Sequence, residues 1–174
     1  MREPSTIPPL HRNLQIMAIL AALKKSPLFK GFSDHDLDKV AAFCEEQSLV
    51  AGDAVFSEGD PTDAFYIVED GTIAIKKTSS RGDESMVNFG PGSHFGELGL
   101  LSVDGVTEKR SASAEAAEQT RLVVVPNAAF EKFLAGSQGS GLLFYRNLAV
   151  NLAGRIRRTT EDLVGLRALR LRNV

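Results

Sequence analysis

The chain has 174 residues, 43% of them hydrophobic and 24% charged, a length that fits one domain and a composition that excludes generic disorder. Its formal net charge is −2, so nothing global points to nucleic acid. A single cysteine, Cys44, and three scattered histidines, His11, His35 and His94, exclude a disulfide framework and a clustered metal site. The chain contains no G-x-S-x-G elbow, no P-loop and no G-x-G-x-x-G, so neither a catalytic residue nor a cofactor is expected. The longest apolar stretch, from Leu14 to Leu23, is about half of the ~20 residues needed to span a bilayer. A reducing, cytoplasmic location is the default expectation.

Residues 1–10 carry three prolines and read as a mobile leader. Residues 11–25 read as a helix, stopped by Ser26-Pro27. Ser33 is a candidate N-cap for a second helix running to about Cys44, with Leu37, Val40, Ala41 and Cys44 on one face.

From Ser48 the period changes to two. Short apolar runs alternate with turn residues: Ser48–Val50, Val55-Phe56, Ala64–Val68, Thr72–Lys76, Ser85–Phe89, Ser111–Ala116 and Arg121–Val125. Nine of the fifteen glycines lie between Gly52 and Gly105, as turns between such strands require. Asp70-Gly71, between two apolar runs, predicts a tight hairpin. A short helix is expected over residues 128–134, then a flexible break over 136–141, then one long helix.

The long helix carries a heptad: Leu142, Tyr145, Ala149, Leu152, Ile156, Thr159, Leu163 and Leu166. This seam can pack on its own domain or pair with a second chain. Residues 141–174 hold seven Arg against Glu161 and Asp162, a net +5, while residues 1–140 balance this with −7. A basic helix of this kind is a solvated face, a partner for the chain's own acidic part, or a contact for an acidic partner.

One stretch carries chemistry: Gly90-Pro-Gly-Ser-His-Phe-Gly-Glu-Leu-Gly-Leu-Leu101, followed by Lys109-Arg-Ser-Ala112. Gly96 and Gly99 let a ligand approach the backbone. Successive N–H groups at the start of a helical turn cradle an anion, and Arg110 offers a planar fork to the same anion. Glu97 suits a sugar hydroxyl and must face away from the anion. Together these describe a site for a small sugar phosphate or nucleotide. Each piece alone is more often structural.

Phe95-Gly-Glu-Leu-Gly-Leu-Leu101 with Arg110-Ser-Ala112 resembles the phosphate-binding cassette of cyclic nucleotide-binding domains, found in bacterial catabolite activators and in the regulatory subunit of cyclic-AMP-dependent protein kinase. Pro27–Phe32, the Gly52-Asp53 and Glu58-Gly-Asp60 turns, and Phe65–Ile73 extend the resemblance over about residues 22–165. It implies a mainly β fold: an eight-stranded antiparallel jelly-roll barrel with N-terminal helices and a long C-terminal helix. The division expected is a leader (1–10), the jelly-roll domain with its N-terminal helices (11–140), and a helix serving as lid or dimerisation element (141–174).

The resemblance also implies roles. Glu97 accepts from the ribose hydroxyl, and Arg110 pairs with the cyclic phosphate. Backbone amides near Gly96, Leu98 and Gly99, and around Ser111 and Ala112, complete the cradle. Thr159 and Thr160 contact the base. The implied ligand is cyclic AMP ahead of cyclic GMP, bound by a regulatory protein that is not an enzyme and responds by moving its last helix against a protein effector or a second copy.

Two departures stand out. Glu97 and Arg110 are separated by a few more residues than in the resembling proteins, and the extra Ser102–Thr107 is expected to loop out. The helix-turn-helix domain of the activators has no counterpart in the sequence. A degenerate module without ligand, serving as scaffold or dimerisation element, is the alternative. A cupin-like metal enzyme needs more histidines than His94 supplies.

Overall fold

The computed structural model describes residues 9–79, 82–101 and 109–172. Residues 1–8 of the expected leader, the Ser80-Arg81 turn, the Ser102–Thr107 insertion and the side chain of Leu166 lie outside the described residues. The chain order is α1 (Pro9–Lys25), a 3-10 turn Pro27–Phe29, α2 (Asp34–Ala41), then β1 (Glu45–Leu49), β2 (Ala54–Phe56), β3 (Ala64–Asp70), β4 (Ile73–Ser79), β5 (Gly82–Phe89) and β6 (His94–Phe95). A second 3-10 turn, Glu97–Leu101, precedes β7 (Ser113–Ala116), β8 (Thr120–Pro126), α3 (Asn127–Gly136) and α4 (Gln138–Arg172).

The expected eight strands form two four-stranded antiparallel sheets, ordered β1-β8-β3-β6 and β2-β7-β4-β5. Among the described residues neither sheet closes on itself, so the structure shows a pair of stacked open sheets. The Asp70-Gly71 hairpin expectation is corrected here. β3 pairs with β8 and β6, whereas β4 pairs with β5 and β7, so this turn carries the chain from one sheet to the other. Gly71 has φ +85, and a Cβ there would meet the Gln119 carbonyl and Thr120 Oγ1 at 2.5 Å. Only glycine turns this corner against β8.

β3 is buried along five successive residues because it is sandwiched. Phe65 and Ile67 face a core shared with the helices, which includes Leu23, Leu28, Val40, Phe130 and Phe144. Ala64, Tyr66 and Val68 face the second sheet, packing with Ile73, Phe95 and Leu122. The strand's two-residue period thus places one apolar set on each side.

Ser33 caps α2 as expected, its hydroxyl accepting from the Asp36 amide at 3.1 Å, and Leu37, Val40, Ala41 and Cys44 are all buried. Burial pushes the Cys44 thiol up to about 12, which leaves it an inert core group.

The flexible break expected over 136–141 shrinks to Ser137, because α4 already begins at Gln138. Ser140 is the reason: its hydroxyl donates to Asp36 on α2 at 2.8 Å, and Phe144 and Leu148 seat the next turns in the helical core. Asn147 donates to the carbonyls of Leu28 and Lys30 at 3.0 and 2.8 Å. Of the heptad seam, Leu152 packs at the edge of the helical core, but most of the seam is not the face that docks. Leu142, Ile156 and Leu163 are 75%, 67% and 56% exposed.

Candidate functional site

A cavity of about 460 Å3 opens between the Glu97–Leu101 turn, the second sheet and α4. That volume suits a small-molecule ligand. Eight of the nine expected site residues line it: Gly96, Glu97, Leu98, Gly99, Arg110, Ser111, Ala112 and Thr159. Thr160 does not. Both threonine hydroxyls donate within α4, Thr159 to the Arg155 carbonyl at 3.1 Å and Thr160 to the Ile156 carbonyl at 2.9 Å.

Arg110 enters just before β7 and is 4% exposed. Its guanidinium lies 4.1 Å over the Phe56 ring and 5.5 Å from that of Tyr66. Nη2 donates to the Ala64 carbonyl at 2.8 Å and to Asp63 Oδ1 at 3.3 Å, and Nη1 reaches the Gly96 carbonyl at 3.4 Å. Nε is buried and has no hydrogen-bond partner among the described residues. A buried charge with one donor unused is costly unless something else engages it.

The two glycines have protein reasons for being small. Gly96 has φ +80, and a Cβ on it would stand 2.7 Å from Arg110 Nη1. A Cβ on Gly99 would stand 2.6 Å from Thr62 Cβ. Their first effect is to let Arg110 and Thr62 come close.

Glu97 is 1% exposed. Its Oε1 accepts from Arg155 Nη1 at 2.7 Å, and Arg155 Nη2 donates to the His94 carbonyl at 2.6 Å. Burial pushes the Glu97 carboxyl above the usual carboxylate range, and the Arg155 guanidinium pulls it back down. The His94 ring, behind this pair, is held neutral: burial, with Arg155 nearby, lowers it to about 3. Phe89, Phe95, Ile75 and Val87 from the strands make the walls largely apolar, and Lys109, Thr62 and Ser111 add polar groups.

A buried carboxylate and a buried guanidinium thus share one apolar cavity, as a ligand with hydroxyls and one anionic group requires. A family model described as the cyclic nucleotide-binding domain matches residues 46–137. The chain belongs to the cyclic nucleotide-binding domain family. It is 34% identical over 142 residues to the cyclic AMP receptor protein of Thermus thermophilus, covering 81% of this chain and 62% of that one. It is 29% identical over 117 residues to the cAMP-dependent protein kinase regulatory subunit of Hypocrea atroviridis, covering 67% of this chain and 24% of that one. The chain therefore spans under two thirds of these relatives' lengths. Among solved structures, the regulatory domain of Toxoplasma gondii PKA with cAMP superposes with a TM-score of 0.61 at 26% identity, covering 68% of this chain and 44% of that chain.

The cyclic nucleotide-binding domain also holds residues at its cavity that the sequence pattern does not mark. In the sequence Arg155 is one of seven arginines on a basic helix, with nothing local to mark it. It lies one helical turn before Thr159, and that i, i+4 spacing places both on one face. Phe56 and Phe89, which flank Arg110 and Arg155, carry only a strand signal in the sequence. No group of three or more metal-ligating side chains occurs among the described residues.

Proposed function

We propose that the protein is a cyclic nucleotide-responsive regulatory module that binds cyclic AMP in preference to cyclic GMP and catalyses no reaction. The observation that carries this reading is the buried Arg110, with its unused Nε, in the same cavity as Glu97. The cyclic phosphate engages Arg110 and the amides around Gly96, Leu98, Gly99, Ser111 and Ala112. Glu97 accepts from the ribose hydroxyl, and the base lies toward Thr159 and Thr160. The relatives' names, a cyclic AMP receptor and a cAMP-dependent kinase regulatory subunit, support the choice of ligand.

In this proposal residues 11–140 form the ligand-binding unit and 141–174 the responding helix. Ligand shifts α4 between a docked and a released arrangement, and the exposed seam meets a second copy of the chain or a protein effector. A cytoplasmic site of action suits an intracellular second messenger. Among the described residues no helix is long and apolar enough to cross a membrane.

The second reading, a module that takes no ligand, draws support from the internal partners of Glu97 and Arg110, namely Arg155, Asp63 and Ala64. Titration calorimetry with cyclic AMP on the parent and Arg110→Ala separates the two. The variant is expected to lose roughly 2–5 kcal/mol of affinity, the cost of removing one member of a buried charge pair. Equal binding by both proteins overturns the site, and no binding by either favours the second reading.

A further inference from the structure

Arg110 is a cation held in an apolar place, and its carboxylate support is thin. Asp63 pairs with it at 3.3 Å, but the Asp63 side chain is 84% exposed. Burial pulls the Arg110 pKa below its ordinary value, with Tyr66 and Asp63 acting against that. The Phe56 ring, at the end of β2, lies under the guanidinium with 4.1 Å from Cζ to its centroid. That ring is itself held in place. It sits 5.8 Å from Tyr66 and 6.0 Å from Phe95, which stack on each other at 5.1 Å and 13°. Three strands thus supply an aromatic floor beneath one charge.

A ring and a carboxylate hold a guanidinium in different ways. A carboxylate takes two N–H donors and cancels the charge. A ring attracts the cation with its negative face and takes no donor. The Nη groups of Arg110 reach the neutral carbonyls of Ala64 and Gly96 as well as Asp63, while Nε has no hydrogen-bond partner among the described residues.

We propose that Phe56 is the positioning residue of the anion subsite: its ring fixes the plane of the Arg110 guanidinium by a cation–π contact and leaves the charge and Nε to the ligand's phosphate. The inference rests on the cyclic nucleotide reading above. It adds to that reading what orders the cation before a ligand arrives. Leucine at position 56 fills much of the same space and offers no negative face. The guanidinium then turns toward Asp63 or samples several planes, and the ligand has to order it.

Two measurements on the whole chain test this. Nitrogen-15 NMR of the arginine side chains, with the Arg110 signals identified by their loss in Arg110→Ala, reports the stacking. The ring is expected to shift the parent's Arg110 Nε–H upfield, and Phe56→Leu to abolish that shift. Calorimetry with cyclic AMP is expected to show Phe56→Leu weakened by about three- to tenfold, with Phe56→Tyr near the parent. Phenylalanines bearing one, two or three ring fluorines, placed at position 56, keep the ring's shape while draining its negative face, so affinity is expected to fall stepwise along the series. This series decides the matter if Phe56→Leu fails to fold. Affinity that stays level along the series, or an Arg110 signal unmoved in Phe56→Leu, overturns the inference while the cyclic nucleotide reading stands. A parent that takes no cyclic AMP overturns the anion subsite together with that reading.

Discussion

His94 lies behind the cavity with both ring nitrogens buried and unpaired among the described residues. Its folded pKa, about 3, lies below the ordinary 6.5, so it binds its proton more readily in the unfolded chain. The neutral ring therefore favours the folded state fully above pH 6.5, and that contribution drains as pH falls from 6.5 toward 3. His94→Leu is expected to lose less stability than the parent over this window, measured by chemical denaturation at several pH values. An identical acid decline in the two proteins counts against His94 as its source. Glu97 acts with the opposite sign: its raised pKa makes the folded state the better proton acceptor, and acidification through that range offsets part of the loss. At this scale Gly96, Glu97 and Arg110 were legible because glycine, carboxylate and guanidinium chemistry is local and their order is informative. Arg155 was not, since its role depends on where one turn of α4 comes to lie beside residues 58 positions away.

α4 carries two apolar stripes, and they do different work. The docked stripe, with Phe144 and Leu148, packs against Phe29, Phe65 and Phe130, with the Phe144 and Phe130 ring centroids 4.7 Å apart. Phe144→Ala is expected to cost about 3–5 kcal/mol of unfolding stability through the cavity it leaves. The exposed stripe contributes nothing to its own domain at Ile156 and Leu163. On the proposed pairing of two copies through this seam, Ile156→Glu is therefore expected to leave the denaturation midpoint near the parent's while abolishing self-association in sedimentation equilibrium. Retention of the parent's mass in that variant removes the seam as the contact between copies. Periodicity found the seam and missed the docked stripe. A heptad search rewards leucines at regular spacing, whereas docking here uses Phe144, Leu148 and the half-buried Leu152 with Ser140 and Asn147, whose partners are distant carbonyl and carboxylate groups.

For the whole molecule, the strand segments were readable because alternation and turn residues are encoded locally. Which strand pairs with which was not. The Asp70-Gly71 turn has the composition of a hairpin, yet it joins strands of different sheets because β8 takes the edge of β3 that β4 would need. β6 was overlooked because two residues, His94 and Phe95, give no period to detect. On the proposed function, ligand binding stabilises the entire fold. A thermal-shift panel of cyclic AMP, cyclic GMP and cyclic di-GMP is expected to show stabilisation by cyclic AMP of about 2.7 kcal/mol at 100 times its Kd, and less by the others at equal concentration. A flat response to all three removes cyclic nucleotides as the ligand.

The pairing of β1 with β8 has a consequence for how the chain is made. Glu45 meets Val124, and Ala64 on β3 meets Pro126, so β1 has no partner until β8 leaves the ribosome, and until then β3 has only the two-residue β6. β2 likewise waits for β7. β4 and β5, adjacent in the chain and paired from Ile73↔Phe89 to Ser79↔Gly82, are the first pair that can associate during synthesis. Such high contact order makes for slow folding, and it leaves the apolar β3 segment unsheltered in the nascent chain. The cavity, which needs both sheets and α4, is then the last thing to exist, and on the proposed function a nascent chain stays blind to the nucleotide until synthesis has passed Arg155.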